Sequence, residues 1–239
     1  MPNSLYPDLI PSYEHQRLTA LQPYQVLGTP GQGAFNDFVS IVAKLFDVPI
    51  ALISLVREED VVFIGNEGLP EANIVAREDS MCSVAILNDG LTVFEDVASQ
   101  PCSLVNPFVA QQLNLGFYAG QALRTPDGLA FGSLCIIDRR PRQLTPAEGK
   151  LLTQLALVAQ ELLALQVAEA NGNFLSLALQ TRFEGMVQQS LTRLETLAEL
   201  RLLDLSPDDA DAERYLASRL DEASYLAQSL HRELKAALK

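Results

Sequence analysis

Thiols and imidazoles are sparse in this chain of 239 residues: three cysteines (Cys82, Cys102, Cys135) and two histidines (His15, His231). A thiol is a nucleophile only as its thiolate, and disulfide exchange needs a second thiol within reach. An odd number of cysteines without close spacing is neither a disulfide framework nor a zinc site. Cys135 stands between Leu134 and Ile136 in a strand-like run, where a small buried hydrophobe is expected. Two distant histidines make a Ser–His–Asp triad or a histidine-rich metal site implausible, so no metal is expected. His231, in SLHRELK, reads as a solvated surface side chain. Gly28, Gly31 and Gly33 lack the preceding strand and the Lys-Ser/Thr of a phosphate loop and read as a plain turn.

Around these groups the chain alternates short apolar runs with turn signals. Residues 117–123 and 131–138 are strand-length runs separated by Thr125-Pro126-Asp127-Gly128, where Pro fixes φ and Gly tolerates φ > 0. Thr145-Pro146-Ala147-Glu148 then supplies an N-cap, a Pro at the first helical position and a Glu at the third, a capping box. Upstream, 13–27 looks mostly helical, Phe35, Phe38, Val42 and Leu45 mark one helical face, and 50–56 is a continuous apolar strand with 61–65 as its hairpin partner. A loop-rich stretch at 66–80 precedes a short helix near 81–88, a strand at 91–95 and a short helix at 105–114.

The helix from Pro146 carries Leu151, Leu155, Val158, Leu162 and Leu165 at spacings of 4, 3, 4 and 3, a narrow seam of the kind one helix presents to another. After Asn171-Gly172-Asn173 no strand pattern returns. Residues 174–205 and a second helix started by Ser206-Pro207-Asp208-Asp209 read as a helical hairpin. Its apolar seams include Leu191, Leu194, Leu216, Leu220 and Leu230. A hairpin alone buries little, so it must pack on the first domain or on a second copy.

The chain is 48% hydrophobic, with a formal net charge of −13 and a pI near 4.5. Nucleic acid and anionic membrane surfaces recruit Lys and Arg, so neither is an expected partner. The N-terminus lacks a basic region followed by an apolar core, and no apolar run approaches the ~20 residues that span a bilayer. A cytoplasmic location is expected.

With these elements in place, several motifs resemble a GAF domain of the bacterial signalling subgroup, found beside histidine kinases and cyclases. They are Tyr24-Gln-Val-Leu27, Val48 to Leu55, Arg77-Glu-Asp-Ser80-Met-Cys82, Phe94-Glu-Asp96, Asn106-Pro107-Phe-Val109, Phe117-Tyr118-Ala119-Gly120, Gly132-Ser-Leu-Cys135-Ile-Ile-Asp138 and Pro141-Arg142. The resemblance covers roughly residues 13–168. It implies an α+β fold: a central antiparallel sheet with helices on one face and a loop-enclosed pocket on the other, here followed by the all-α hairpin. The organisation expected is an irregular arm over 1–12, the GAF domain over 13–170 and the hairpin over 174–239.

The resemblance also nominates a pocket for a small molecule, lined by Phe63, Arg77, Ser80, Cys82, Asp96, Phe117, Tyr118 and Asp138. Arg77 would orient an anion by forked hydrogen bonds, or else form an ion pair that holds loop to sheet. The aromatics would stack on a planar ligand, or else be core. Ala119 and Gly120 would leave room for a ligand, or for a helix. Ile64, Met81, Gln100, Cys102, Ser103 and Gln121-Ala122 depart from the family's usual residues, which points to an altered pocket. Bilin attachment uses a Cys followed by His, absent here, so no covalent bilin is expected.

The function expected is that of a non-enzymatic sensory or regulatory protein. It would bind a small molecule or serve as an interaction platform, signalling through its helices to a homodimer partner or to a protein such as a histidine kinase. Two alternatives stand beside it: a thiol-dependent reductase of free methionine sulfoxide working through Cys82 and Cys102, and a ligand-free dimerisation or assembly module.

Overall fold

The continuous apolar run Ile50–Val56 forms strand β1, buried at every position because both faces of the sheet around it are covered. In the computed structural model, which describes residues 6–27, 33–69, 71–171, 177–199 and 210–237, it lies inside a six-stranded antiparallel sheet. The partners are β2 (Asp60–Glu67), β3 (Ile74–Ala76), β4 (Thr92–Phe94), β5 (Phe117–Arg124) and β6 (Ala130–Asp138), in the order β3-β2-β1-β6-β5-β4. β3 falls within the stretch that the sequence suggests is loop. It is three residues long and leaves Ile74 exposed, so its apolar signal is weak. The β5–β6 turn is the one signalled by Pro126-Asp127-Gly128, with Gly128 at φ +85°.

The helices are α1 (Glu14–Leu21), α2 (Gly33–Phe46), α3 (Cys82–Ala85), α4 (Pro107–Gln112), α5 (Pro146–Ala170), α6 (Leu177–Glu199) and α7 (Ala210–Ala237). Pro23 ends α1 early, and a 3₁₀ turn over Gln22–Leu27 carries Tyr24 onto Phe131, ring centroids 4.0 Å apart. The capping box of α5 forms as the sequence dictates: Glu148 N donates to Thr145 Oγ1 at 3.2 Å, and Thr145 N donates to Glu148 Oε2 at 2.9 Å. The Gly28–Gly33 turn and the Ser206–Asp209 helix start lie outside the described residues, save Gly33 itself, the first residue of α2.

Alternation along the strands sends side chains to two separate cores. On one face Ala51, Ile53, Leu55, Phe117, Ala119, Leu134 and Ile136 pack under α2 and α5. On the other, Leu52, Phe63, Tyr118, Cys135 and Ile137 pack under α3 and the loops from 69 to 105.

The tail helices belong to the first of these cores. Leu194, Ala223, Ala227, Leu230 and Leu234 are buried together with Leu151, Leu155 and Val158. Lys44 of α2 pairs with Glu195 of α6 at 3.2 Å, and Arg219 of α7 donates to the Leu45 carbonyl at 3.1 Å. Of the two partners that the sequence leaves open for these seams, the first domain or a second copy, the structure pairs the described residues with the first domain. Leu151, Leu155, Val158, Leu194 and Leu230 are closed off within one chain, and Leu162, Leu191 and Leu220 pack at its edge. The side chain of Leu216 lies outside the described residues. A 4-3 spacing marks a helix–helix contact; it does not say whose helix is the partner. His231 is likewise half-buried rather than solvated, its Nδ1 3.8 Å from Glu161 of α5.

α5 needs a second correction. By length and composition it is apolar enough to cross a membrane, although the sequence suggests no such segment. Its apolarity answers to its place: one side lies on β5 and β6, the other on α7. A helix covered on two sides loses the one-sided pattern of a surface helix.

Candidate functional site

β5 positions the most telling side chain of the loop face. Tyr118 is fully buried, and its ring lies along its own strand over Gly120. A Cβ at Gly120 would stand 2.3 Å from the Tyr118 hydroxyl and 2.8 Å from the carbon that bears it. The space that Gly120 leaves is thus filled by its neighbour two residues away, on the same face. The hydroxyl makes no well-formed hydrogen bond but lies beside the Cys82 and Cys135 thiols and the Ser133 hydroxyl, and burial first, then the two thiols, raise its pKa well above the usual value.

β6 brings Cys135 to the same place, paired in register with Gly120 on one side and Leu52 on the other. Above it, α3 presents Cys82. The two Sγ atoms are 3.7 Å apart and both thiols are buried. Ser54 of β1 and Ser133 of β6 stand opposite each other, hydroxyls 3.0 Å apart, and Ser80 Oγ accepts from the Cys82 amide at 3.3 Å. The hydrogen bond with Cys135 draws the Cys82 thiol down to about 6 against the opposing effect of burial. The hydroxyls of Ser133, Ser54 and Ser80 add to the lowering. Cys135, giving that hydrogen bond and buried, is pushed up. The reductase alternative names Cys82 and Cys102, but it is Cys135, buried as the sequence suggests, that Cys82 meets. The signal was faint, since the partners are 53 positions apart.

A cavity of about 50 Å³ lies beside this cluster. Its lining includes Leu52, Phe63, Ser80, Met81, Cys82 and Tyr118. That is room for a water or two and far below the ~300–1,000 Å³ of small-molecule sites. A larger cleft of about 450 Å³ lies next to it, between Val97–Cys102, α4 and Arg139–Pro141, with Met81, Val105 and Leu115 common to both.

Of the eight residues nominated for the pocket, Phe63, Ser80, Cys82 and Tyr118 line the small cavity. The other four are elsewhere. Phe117 faces the helix side, as it must if Tyr118 faces the loops, with the Arg142 guanidinium 5.5 Å from its ring centroid. Arg77 is turned away to the N-terminal segment: Nη1 donates to Glu14 Oε1 at 2.5 Å and Nη2 to the Leu9 carbonyl at 3.0 Å. Glu14 also takes both forks of Arg17 at 2.7 Å, and Arg17 donates on to the Val56 carbonyl. Burial would raise the Glu14 pKa, but its bonds to Arg17 and Arg77 outweigh that and hold it below the usual carboxylate value. Asp96 caps a turn through the amides of Ala98 and Ser99, and the Asp138 carboxylate accepts from the Arg140 amide. Among the described residues, no three His, Cys, Asp or Glu side chains converge as a metal site would require.

No family model matches the chain. A search of curated proteins finds a cyclic di-GMP phosphodiesterase of Pseudomonas aeruginosa, 35% identical over 132 residues. The match takes in 55% of this chain and 22% of that enzyme, so the chain spans under a quarter of its relative's length. Among solved structures, the GAF domain of an Acinetobacter phosphoenolpyruvate-protein phosphotransferase is 16% identical, covering 66% of this chain and 98% of that one, with a TM-score of 0.48. The second GAF domain of DevS from Mycobacterium smegmatis is 14% identical, covering 57% and 95%, with a TM-score of 0.43. The strand order, the two-faced sheet and the positions of Tyr118-Ala119-Gly120 and Leu134-Cys135 within it agree with the resemblance in the sequence.

The fold is GAF-like. The sheet, α2, α5 and the loop-covered face are arranged as the resemblance in the sequence implies. The expectation of a non-enzymatic protein does not stand: the curated relative is a phosphodiesterase, an enzyme.

Proposed function

We propose that this chain is a regulatory domain in cyclic di-GMP signalling that takes its input on the loop face of the sheet and delivers its output through α5 to α7. The observation that carries the proposal is the position of α5. It lies between two layers that could report to each other: β5 and β6 on one side, α7 on the other. Arg124 of β5 even donates its backbone amide to Gln160 of α5 at 2.9 Å. The similarity to a cyclic di-GMP phosphodiesterase supplies the signalling context.

An input must favour one packing of α5 over another, because a ligand that binds both equally shifts nothing. The 450 Å³ cleft is of the size that a small molecule needs, and its wall includes Cys102 and Val105 of the loop layer. The 50 Å³ cavity is not of that size, which favours an interaction platform over a deeply enclosed ligand at that point.

The test is cyclic di-GMP hydrolysis by the protein as its host encodes it, with the linear dinucleotide product followed by mass spectrometry. Ala227→Leu, at a fully buried position of α7, loosens the packing on α5. A changed hydrolysis rate at unchanged protein abundance supports the proposal. Equal rates for the variant and the unmodified protein, or hydrolysis by neither, overturn it.

A further inference from the structure

We propose that Cys82 and Cys135 form a reversible redox pair, closed into a disulfide by a hydroperoxide and reopened by a dithiol. This inference goes beyond the regulatory reading and does not rest on it.

The first ground is geometry. The two sulfurs are 3.7 Å apart and directly face each other across the loop-side core. A disulfide needs about 2.05 Å, an approach of roughly 1.7 Å, within reach of a χ1 adjustment and a small shift of one element. Cys135 is fixed, in the middle of a strand hydrogen-bonded on both sides. Cys82 is on the side that can give: α3 is a four-residue helix between two loop segments.

The second ground is the surroundings. Thiols that serve only as packing sit among apolar groups, and burial then keeps them protonated. Here the hydroxyls of Ser54, Ser80 and Ser133 gather about the thiols, and the Tyr118 hydroxyl is beside them. These donors are what a buried thiolate requires, and the resulting lowered pKa of Cys82 is consistent with it as the attacking group.

The third ground is access. Cys82 lines the 50 Å³ cavity, and Cys135 does not. A space for one or two waters admits hydrogen peroxide and excludes a bulky disulfide or peptide oxidant. The order of events follows. The Cys82 thiolate attacks one oxygen of the peroxide; the O–O bond breaks, leaving a sulfenic acid and hydroxide. The Cys135 sulfur then attacks the Cys82 sulfur and the S–O bond breaks. The Cys135 proton leaves with the departing hydroxide as water, and the first hydroxide has taken up the proton originally held by Cys82. Two thiols and one peroxide thus give one disulfide and two waters, with two electrons passing from sulfur to oxygen. Reduction is the ordinary exchange with an added dithiol.

The experiment treats the full chain with hydrogen peroxide at neutral pH, blocks remaining thiols with an alkylating reagent, and maps peptides by mass spectrometry without reduction. The expected product is a monomer lighter by two hydrogens, with the peptides containing Cys82 and Cys135 linked and Cys102 alkylated. Dithiothreitol restores three alkylatable thiols after unfolding. Cys102→Ser, outside the pair, leaves the linkage unchanged. Because the mapping uses the unmodified chain, a variant that fails to fold does not decide the matter. Three free thiols after treatment, sulfinic or sulfonic acid at Cys82 without a linked peptide, or a linkage through Cys102 would each overturn the proposal.

Discussion

Replacing Leu230 by Ala tests whether the tail helices and the sheet form one core. Leu230 is 1% exposed in α7 and shares its core with Leu151, Leu155 and Val158 of α5 and with the helix-side residues of the sheet. Truncating a fully buried Leu removes its transfer free energy and leaves a cavity that relaxes only in part, about 2–5 kcal/mol in all. With a urea dependence of about 3 kcal/mol/M, a loss near the middle of that range lowers the unfolding midpoint by about 1 M. The assay is urea unfolding followed by far-ultraviolet circular dichroism at two protein concentrations tenfold apart. One transition is expected, displaced as a whole and independent of concentration. Tyr225→Ala, at an exposed position of the same helix, is the control and shifts stability by less than about 0.5 kcal/mol. Two transitions of which only one moves, or a midpoint that rises with concentration, would refute the single in-chain core. The first outcome would make the hairpin a separate unit, and the second would make its seam an interface between copies.

Gly120→Ala should destabilise by about 1–3 kcal/mol, because the new methyl overlaps the buried Tyr118 ring and forces it to shift; Tyr118→Phe, which removes the atom of closest approach, should recover part of that loss in the double variant by thermal unfolding. Acid unfolding should depend on Glu14. Its folded pKa lies below the ordinary 4.5, so its contribution is fully present above that value and is lost as pH falls through the lower folded one. Glu14→Gln should therefore lower stability at neutral pH and flatten the acid limb of the stability–pH profile; an unchanged limb would count against the Arg17–Glu14–Arg77 clamp. Thr145→Ala should cost about 1 kcal/mol through loss of the α5 cap, measurable as a shift in the urea midpoint.

Much of the scaffold was legible because local rules decide it. The unbroken run at 50–56, bounded by Pro49 and a charged turn, reads as a doubly covered strand, and Thr145 to Glu148 carries the signals that open a helix. What was not legible depends on partners distant in sequence. Arg77 looks the same whether it awaits an anion or grips Glu14, 63 positions away. Cys135 looks like filler until Cys82 is laid against it. The 4-3 spacing of Leu151, Leu155 and Val158 demands a neighbouring surface without naming it, and the sheet and α7 supply it here. Two errors were avoidable from the sequence itself. Phe117 and Tyr118 are adjacent in a strand, so only one of them could face the pocket. Asp96, followed closely by Ala98 and Ser99, carries an Asx-turn pattern that reads as backbone capping rather than ligand binding.

Hydrogen–deuterium exchange on Ala227→Leu tests most directly whether α5 couples α7 to the sheet. Faster exchange should spread from α7 through α5 into β5 and β6 and on to α3 and its flanking loops on the far face of the sheet. Exchange that quickens in α7 alone, with α5, the strands and α3 protected as in the unmodified chain, would contradict the coupling on which the proposed function depends.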